Sequence, residues 1–298
     1  MIKTIEEFIS LFNNSLNNLS KLITDIEPIK EASIYSVMNG GKRIRPKLVF
    51  LGAMSVANEV EYNDIENLAL GIELIHSYSL VHDDLPSMDN DSLRRGLPTT
   101  HVKYGVGMAT LAGDALLNLA FEIMLKNIEN LDANELKKQV LAAKYIVNNS
   151  GINGMVGGQC LDLKNDQVNT IDIKDLNQIN SLKTGALIKG ALLAGAIRYG
   201  ANKEQIKALE EYSEYLGLLF QVVDDILDVT STKEVLGKDV HQDEKNEKPT
   251  YVKLVGLDQS YEDCKIFANK AIECIEIANI NNKKLLIELI DKMLKRVN

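Results

Sequence analysis

The sequence predicts an all-α protein, folded as a single domain over residues 1–298 and built from about ten or more helices. Apolar residues recur three or four positions apart from one end of the chain to the other, which is the spacing of a helix face. Aromatic residues make up 5% of the chain and Trp is absent, so the core must come mainly from Leu, Ile, Val, Ala and Met. That composition and the small number of prolines, 5 in all, favour helices over sheets.

The predicted helices follow from this spacing in chain order. Residues 4–24 set a stripe of Ile, Phe and Leu against a polar face of Asn, Ser and Glu, and residues 64–82 repeat the pattern. The full set of predicted helices is 4–24, 64–82, 107–128, 133–149, 173–199, 203–229, 260–278 and 281–296. Turn signals such as Asn39-Gly40-Gly41 separate them, and no linker rich in Pro, Ser or Gly divides the chain. Two segments, 107–125 and 185–197, are apolar most of the way round, which predicts central positions in a large bundle.

Charge and cysteine content exclude several classes of protein. The chain has 33 basic and 42 acidic residues, a net charge of −9, and no basic stripe, so a nucleic-acid partner is not expected. The three cysteines, Cys160, Cys264 and Cys274, show no CxxC spacing and favour a reducing compartment over a disulfide framework or a zinc site. The amino terminus is acidic where a secretory signal would be basic, and no apolar run approaches the roughly 20 residues that span a bilayer. We therefore expect a cytoplasmic protein with no membrane span.

Two aspartate clusters are the most informative feature of the sequence. The first lies within residues 83–89 and follows the apolar run Leu68–Val81, and the second lies within residues 224–228 and follows Leu216–Val223. Crowded carboxylates repel one another, and each loses hydration beside an apolar run, so a multiply positive partner must offset the cost. Divalent cations prefer oxygen ligands, and Mg²⁺ bridging to a phosphorylated substrate is the interpretation that the clusters favour.

Helix geometry indicates how each cluster would hold a cation. Asp224 and Asp228 are four apart and lie on one helix face, where they could share a metal ion; a solvated helix end is the alternative. Asp83 and Asp89 are six apart, so an unbroken helix would point them in different directions. Because Pro86 disfavours helical geometry at the residue before it, we expect the helix to end or kink there and Asp89 to turn back toward Asp83.

Basic residues accompany the carboxylates. Arg94-Arg95 follows the first cluster, and guanidinium groups match phosphate oxygens in a bidentate way. Gly40-Gly41 precedes a second basic cluster, Lys42-Arg43-Ile44-Arg45, which would bind an anion; a solvated turn is the alternative. Gln221 precedes the second aspartate cluster by about one turn and shares its face. Four further residues would individually be structural or surface residues: His76, Lys183, Lys238 and Lys248.

Taken together, these residues resemble the trans-isoprenyl diphosphate synthase family, the polyprenyl synthetases, and in particular its short-chain bacterial branch. The resemblance implies the isoprenoid synthase fold: a mostly antiparallel helix bundle, usually a homodimer, whose two aspartate motifs face each other across a central cavity. Each motif alone is weak, but their order and spacing are highly specific. The motifs are Gly41-Lys42-Arg43-Ile44-Arg45-Pro46, the run from His76 to Pro86, Met88-Asp89, the run from Arg94 to Thr99, Gly113-Asp114-Ala115-Leu116, Gly157-Gly158-Gln159 with Asp162-Leu163, Lys183-Thr184-Gly185 and the run from Phe220 to Asp228.

The resemblance implies roles for individual positions. The implied Mg²⁺ ligands, for three ions when the allylic diphosphate is bound, are Asp83, Asp84, Asp89, Asp224 and Asp228. The implied contacts to the allylic diphosphate are Arg94, Lys183, Lys238 and Lys248. The implied isopentenyl diphosphate site is Lys42, Arg45, His76 and Arg95. Thr184 and Gln221 would bind substrate near the reacting carbons. The implied catalytic set is Asp83, Asp84, Asp89, Arg94, Lys183, Gln221 and Asp224.

The expected reaction is the condensation of isopentenyl diphosphate with dimethylallyl and then geranyl diphosphate to give farnesyl diphosphate. Tyr78 lies five residues before Asp83, about 7 Å along the helix, where together with Ser79 it would close the cavity and limit product length. An aromatic residue there resembles bacterial farnesyl diphosphate synthases, and a small one would indicate geranylgeranyl or longer products. The alternative is that Tyr78 only packs in the core.

Three other functions compete with this one. A geranylgeranyl diphosphate synthase of the same fold differs only in product length. A non-catalytic subunit that binds prenyl diphosphates is disfavoured because both aspartate motifs and all their basic partners are present. A terpene cyclase is disfavoured because the second motif is rich in aspartate and aromatic residues that would stabilise a cation are scarce. One departure from the family pattern, Val252 in place of the usual proline, weakens the assignment of Lys248 more than that of Lys238.

Overall fold

The computed structural model describes residues 1–23, 25–165, 171–230 and 249–297, and within these ranges the chain is predominantly helical. The α-helices are α1 (Ile5–Asn17), α2 (Glu27–Met38), α3 (Ile44–Met54), α4 (Tyr62–Asp83), α5 (Thr100–Tyr104), α6 (Val106–Met124), α7 (Ala133–Ser150), α8 (Met155–Asn165), α9 (Ile173–Asn180), α10 (Ala186–Arg198), α11 (Lys203–Thr230), α12 (Tyr251–Val255), α13 (Leu257–Ile277) and α14 (Lys283–Leu294). The other elements are two 3₁₀ turns (Leu19–Lys21 and Ile128–Asn130), a π-helical segment (Ser181–Gly185) between α9 and α10, and an antiparallel hairpin of β1 (Leu93–Arg94) and β2 (Leu97–Pro98).

Local chemistry explains where several helices begin and end. At the start of α1, the Thr4 side chain accepts a hydrogen bond from the Glu7 backbone, and the Glu7 carboxylate accepts from the Thr4 backbone in return. The Asp172 side chain accepts from the first backbone N–H groups of α9 in a similar way. Helix α4 ends at Asp83, ahead of Pro86, as the sequence predicts.

Helix α10 lies at the centre of the bundle, which confirms the expectation for residues 185–197. Its residues from Ala186 to Ala196 are buried except for the half-buried Lys189. The helix packs along α3, α7 and α11, while α4 packs along α6. Because most α10 side chains are Ala, Gly or Leu, neighbouring helices can approach it from several sides.

Helix α6 departs from the same expectation. One of its faces, which carries Leu111, Asp114 and Glu122, is exposed in the chain, so the predicted central position is wrong for this helix. By length and composition, Val106–Asn130 is the one candidate for a membrane span in the part of the chain that the structure describes, and 39% of its window is buried inside the protein. Helices in protein cores pass the same test, so length and composition do not distinguish a membrane-spanning helix from a core helix.

A buried ionic cross-link ties the end of α10 to two neighbouring helices. Arg198 is 5% exposed; its Nη2 donates to Asp64 Oδ1 on α4 at 2.8 Å, and its Nη1 donates to the Glu135 carboxylate on α7. Arg198 lies 15 positions beyond Lys183, roughly 20 Å along the helix. The cross-link therefore stabilises the bundle far from the residues that the sequence assigns to chemistry.

The structure confirms the all-α class and most of the predicted helices. Helices α4, α7, α11, α13 and α14 agree with the predicted bounds to within three residues at each end. Helices α2, α3, α5, α8 and α12 were not among the predicted ones, and α1 stops at Asn17 although the pattern continues to residue 24. The hairpin at 93–98 was also not predicted, because two residues per strand are too few to show alternation.

Candidate active site

A cavity of about 650 Å³ is lined by residues of α4, α8, the π-helical segment and α11. Its volume is within the usual range for small-molecule sites. Asp83 from the first aspartate cluster and Asp224 from the second both face it, so the two clusters share one space, as the sequence predicts. The predicted site residues on its wall are Arg45, His76, Tyr78, Ser79, Asp83, Arg94, Arg95, Lys183, Thr184, Gln221 and Asp224.

The chain reverses direction directly after α4. The backbone N–H of Asp89 donates to the carbonyl oxygen of Asp83 at 2.9 Å, so Asp89 does turn back past Pro86 as predicted. Asp89 lines an adjoining cavity of about 220 Å³, whose wall also includes Lys183 and Gln221. The first cluster therefore contributes to two cavities, whose walls share Lys183, Thr184 and Gln221.

Asp84 has a different role from its neighbour Asp83. It is 3% exposed, and it accepts hydrogen bonds from Arg94 Nε at 2.8 Å and 3.0 Å, with Arg94 Nη2 at 2.6 Å. This bidentate contact fixes the Arg94 guanidinium, which lines the cavity on the other side. Asp84 thus holds a cavity-lining cation in place.

The surroundings of Asp83 disfavour the ionised form of its carboxyl group. Burial raises its pKa to about 6; Lys183 and Arg94 lower it, and Asp89 and Asp84 raise it. Burial and the neighbouring carboxylates together outweigh the attraction of the two cations, so the described protein offers Asp83 less positive charge than its ionised form requires. A cation delivered with a ligand would remove this deficit.

The raised pKa predicts how Asp83 affects stability without metal. The folded protein holds this proton more tightly than the unfolded chain, whose ordinary value is 3.8, so the contribution of Asp83 to stability is full below that value and is lost as the pH rises through about 6. We expect Asp83→Asn to stabilise the protein in EDTA at about pH 7.5 and to stabilise it less at about pH 5. Urea unfolding of both proteins at the two pH values measures this. Asp258→Asn, on the exposed side of α13, is the control, and an equal effect of Asp83→Asn at both pH values would contradict the prediction.

The second cluster divides its carboxylates between the cavity and the framework. Asp224 lines the cavity, and its Oδ1 accepts a hydrogen bond from Arg296 Nη2 at 2.9 Å. Asp225 is buried and accepts from Gln221 Nε2 at 2.8 Å and from the backbone N–H of Tyr251 at 2.7 Å. Asp225 therefore fastens the start of α12 to α11 and orients Gln221 toward the cavity.

The π-helical segment places two predicted residues on the cavity wall. Lys183 Nζ forms an ion pair with Asp162 Oδ2 on α8 at 2.6 Å, and Thr184 Oγ1 lies 3.5 Å from Gln221 Oε1. A side chain at Gly158 would place its Cβ 2.2 Å from the Lys183 backbone nitrogen, so glycine is required where α8 meets the segment. A π-helix has more residues per turn than an α-helix and often occurs at functional sites. Here the π-helical segment places both Lys183 and Thr184 on the wall of the cavity.

The basic cluster after α2 depends on its two glycines. Gly40 and Gly41 have φ angles of 84° and 118°, which favour glycine. Arg95 Nη1 donates to the Gly40 carbonyl oxygen at 2.5 Å, and a Cβ on Gly41 would lie 2.8 Å from the same guanidinium group. The loop thus folds around Arg95 and joins the basic cluster to the hairpin.

The charges around His76 indicate an anion site. Burial lowers the pKa of Arg45 to about 10, with Glu73 opposing the shift and Arg95 adding to it. Burial also lowers the pKa of His76 well below its ordinary value, and the positive charges of Arg45, Arg95 and Arg94 lower it further. Protonation of His76 is therefore disfavoured beside these guanidinium groups, and an anionic ligand would offset their mutual repulsion.

The carboxylates suit a divalent cation that also binds phosphate. Within the described ranges, no group of three or more Asp, Glu, His or Cys side chains is arranged to hold a metal on its own. Mg²⁺ in proteins commonly takes one or two carboxylates and completes its shell with substrate phosphate oxygens and water. Asp83 and Asp224, on separate helices around one cavity, fit that use, and the raised pKa of Asp83 is the observation that supports it.

Several predicted residues lie away from the large cavity or outside the described chain. Asp84 and Asp228 are 3% and 4% exposed, and neither lines it. Lys42 is exposed near the cavity residues and is likewise not on the wall. Lys238 and Lys248 lie outside the described residues. The roles assigned to these five positions stay predictions.

The structure adds four residues that the sequence did not assign to the site. Asp162 pairs with Lys183, Asp225 holds Gln221, and Arg296 near the carboxyl terminus reaches Asp224. Glu73, one turn before His76 on α4, pairs with Arg43 of the basic cluster at 2.5 Å. A glutamate within the apolar run Leu68–Val81 was the available signal for Glu73, because such a charge is seldom buried without a partner.

These features define a class of protein: a helix bundle whose central cavity joins two acidic clusters to basic residues that match diphosphate groups. The chain belongs to the polyprenyl synthetase family, whose model matches residues 26–290. It is therefore a trans-prenyltransferase, as the sequence predicts. The solved structures of similar proteins share its isoprenoid synthase fold.

Similar proteins include synthases with different products. The chain is 40% identical over 265 residues to the geranylgeranyl diphosphate synthase of Cyanophora paradoxa, covering 89% of this chain and 86% of that protein. It is 38% identical over 291 residues to the farnesyl diphosphate synthase of Micrococcus luteus, covering 96% of each. The geranyltransferase of Legionella pneumophila superimposes with a TM-score of 0.83 at 32% identity, covering 98% of this chain and 96% of that one. The geranyltransferase of Helicobacter pylori, complexed with magnesium and isoprenyl diphosphate, superimposes with a TM-score of 0.79 at 31% identity, covering 99% and 98%.

Proposed function

We propose that the protein is a farnesyl diphosphate synthase, which condenses isopentenyl diphosphate with dimethylallyl diphosphate and then with geranyl diphosphate. The observation that carries the proposal is the place of Tyr78. Its ring lines the cavity, is 6% exposed, and packs edge-on against His82 with the ring centroids 5.7 Å apart. Because Tyr78 lies about 7 Å along α4 from Asp83, a prenyl chain that extends along this helix meets an aromatic ring.

The chain's own residues support ionisation of the allylic substrate. Cleavage of the allylic carbon–oxygen bond leaves an allyl cation and a free diphosphate, and both are costly in an apolar cavity. Arg94, held by Asp84, and Lys183, held by Asp162, place fixed cations where the leaving charge develops. Mg²⁺ bound by Asp83, Asp89 and Asp224 would act as a Lewis acid on the same diphosphate.

The second substrate adds its double bond to that cation. Arg45, Arg95 and His76 form the proposed site for isopentenyl diphosphate. Its double bond forms a carbon–carbon bond to the allyl cation, and the resulting cation loses a proton to give the new double bond. We assign that proton to the departing diphosphate, which is the anion nearest to the reacting carbons. Apolar residues such as Met155 and Phe220 exclude water from the cation.

Product analysis tests the proposal. The purified protein is incubated with dimethylallyl diphosphate, excess isopentenyl diphosphate and Mg²⁺, and the hydrolysed products are sized by chromatography. We expect farnesol as the main product. Geranylgeraniol as the main product would overturn the proposed chain length and leave prenyl transfer intact. If no condensation product forms, the result would contradict the proposed prenyltransferase activity and favour a subunit that only binds prenyl diphosphates.

A geranylgeranyl diphosphate synthase is the second candidate. The Cyanophora paradoxa relative, which has that name, supports it. That relative is 40% identical to the chain, and the farnesyl diphosphate synthase of Micrococcus luteus is 38% identical. Tyr78 supports the shorter product, because a twenty-carbon chain would have to pass the ring.

We also propose that the protein is a homodimer. The exposed face of α6, which includes Leu111 at 56% and Leu125 at 45%, supports this, since a second copy would cover an apolar helix that one chain leaves open. Sedimentation analysis that gives twice the chain mass of 33.1 kDa would agree with a dimer, and the mass of one chain would contradict it.

A further inference from the structure

Glu73 is a buried carboxylate that the reaction itself does not use. It lies on α4 one turn before His76, is 2% exposed, and does not line the large cavity. Its Oε1 accepts a hydrogen bond from Arg43 Nη1 at 2.5 Å, whereas its Oε2 is buried with no hydrogen-bond partner among the described residues. Burying a half-satisfied carboxylate is costly, and such groups in native proteins usually have a functional reason.

Arg43 connects Glu73 to the backbone of the basic cluster. Its φ of 51° lies in the left-handed region, which costs free energy for any residue other than glycine. Its Nη2 also donates to the Val37 carbonyl oxygen at 3.0 Å, near the end of α2. The two contacts hold Arg43 between α2 and α4, and they fix the backbone from which Lys42 and Arg45 extend.

Glu73 also offsets the repulsion among the cations of this region. After burial, which lowers the pKa of both Arg45 and Arg95, its charge is the largest influence on each and acts in the opposite direction. One carboxylate therefore attracts three guanidinium groups: it is hydrogen-bonded to Arg43 and acts electrostatically on Arg45 and Arg95. Without it, these cations would repel one another and move apart, and the site would lose the arrangement that receives a diphosphate.

We propose that Glu73 is the positioning residue of the isopentenyl diphosphate site, holding Arg43, and through it the turn before α3, in the conformation that receives the second diphosphate. This inference rests on the proposed function and adds a residue to it. Glu73 acts through other side chains and does not contact the substrate. Loss of its charge lowers affinity at this diphosphate site and leaves the allylic site, built on Asp83, Arg94 and Lys183, unchanged.

Steady-state kinetics of Glu73→Gln tests the inference. We expect KM for isopentenyl diphosphate to rise about tenfold or more, because a charge-assisted contact that preorganises the site is lost. We expect KM for the allylic substrate and kcat at saturating concentrations to change less than about twofold. Glu135→Gln is the matched control, since it removes a carboxylate from another Arg–Glu pair, that of Arg198, far from the cavity. It should lower thermal stability and leave both KM values unchanged.

A double-mutant cycle separates positioning from general destabilisation. If Glu73 acts through Arg43, then Arg43→Gln raises the same KM, and the double variant is no worse than the stronger single variant. Multiplied effects in the double variant, equal increases in both KM values, or a KM unchanged by Glu73→Gln would each overturn the inference.

Binding of inorganic diphosphate gives a measurement that does not depend on catalysis. Titration calorimetry in EDTA reports the metal-independent anion site of the wild type and of Glu73→Gln, even if the wild type condenses no substrate. Binding about tenfold weaker in the variant supports the role of Glu73, whatever the outcome for the proposed reaction. If Glu73→Gln does not fold, the same titration of Arg43→Gln decides, and unweakened binding there overturns the inference.

Discussion

Replacing Asp83 with alanine is expected to lower kcat by about a thousandfold or more. Asp83 is the last residue of α4 and shares the cavity with Asp224, and its raised pKa shows that its charge is not offset by the protein alone. In the proposed function, removing the carboxylate removes an oxygen ligand of the cation that would bind the allylic diphosphate. The loss should then fall on carbon–oxygen bond cleavage. Single-turnover rates with saturating Mg²⁺ and both diphosphates measure it.

Loss of folding would not explain that result. The half-buried Asp83 carboxylate, whose pKa is raised, destabilises the metal-free protein at neutral pH, so its removal should not lower the unfolding midpoint by the cost of a lost ion pair. Asp258→Ala, at an exposed position in the first turn of α13, is the control and should turn over like the wild type. Near-normal turnover of Asp83→Ala would reject the role of Asp83 as a cation ligand.

Most of the helices that the sequence predicts well have one apolar face. Helix α13 meets solvent on one side and the core on the other, so the three-to-four spacing of its buried residues is visible along its whole length. Helix α3 is buried nearly all round from Leu48 onward, and an apolar run without periodicity does not reveal its secondary structure. Helix α8 contains Gly157-Gly158, which lowers its intrinsic propensity; packing against the π-helical segment holds it in place.

The site could be predicted as a set of motifs but not as a set of contacts. Pro86 after two aspartates indicates a helix end from local chemistry alone, and the structure confirms the turn that brings Asp89 back. The pairing of Lys183 with Asp162 and of Arg43 with Glu73 depends on which helices pack together, and positions 20 or 30 apart in sequence do not show this. For the same reason the sequence assigns one role to the five aspartates of the motifs, whereas the structure pairs Asp84 with Arg94 and Asp224 with Arg296.

Replacing Tyr78 with alanine is expected to shift the main product from farnesyl to geranylgeranyl or longer diphosphates. The ring lines the cavity and packs edge-on against His82, so its loss opens space along α4 below Asp83. Each added isoprenyl unit then extends past the position at which the ring would stop it. Chromatography of the hydrolysed products at several ratios of isopentenyl to dimethylallyl diphosphate measures the shift. Ser79, the next residue on the same wall, keeps its hydrogen bond to the His76 carbonyl and does not fill the space.

Tyr78→Phe is the matched control, because it keeps the ring and removes only the hydroxyl group, so farnesyl diphosphate should remain its product. Truncating a buried aromatic residue commonly costs about 3–5 kcal/mol of stability, so the unfolding temperature of Tyr78→Ala must be measured beside its products. A folded Tyr78→Ala enzyme that still stops at fifteen carbons would show that another wall sets the limit. The neighbouring candidates would then be Val156 and Cys160 on α8, which line the same cavity. A difference of two percentage points in identity to relatives that bear either name does not decide the product, whereas the product of Tyr78→Ala tests whether this ring on the cavity wall limits chain length.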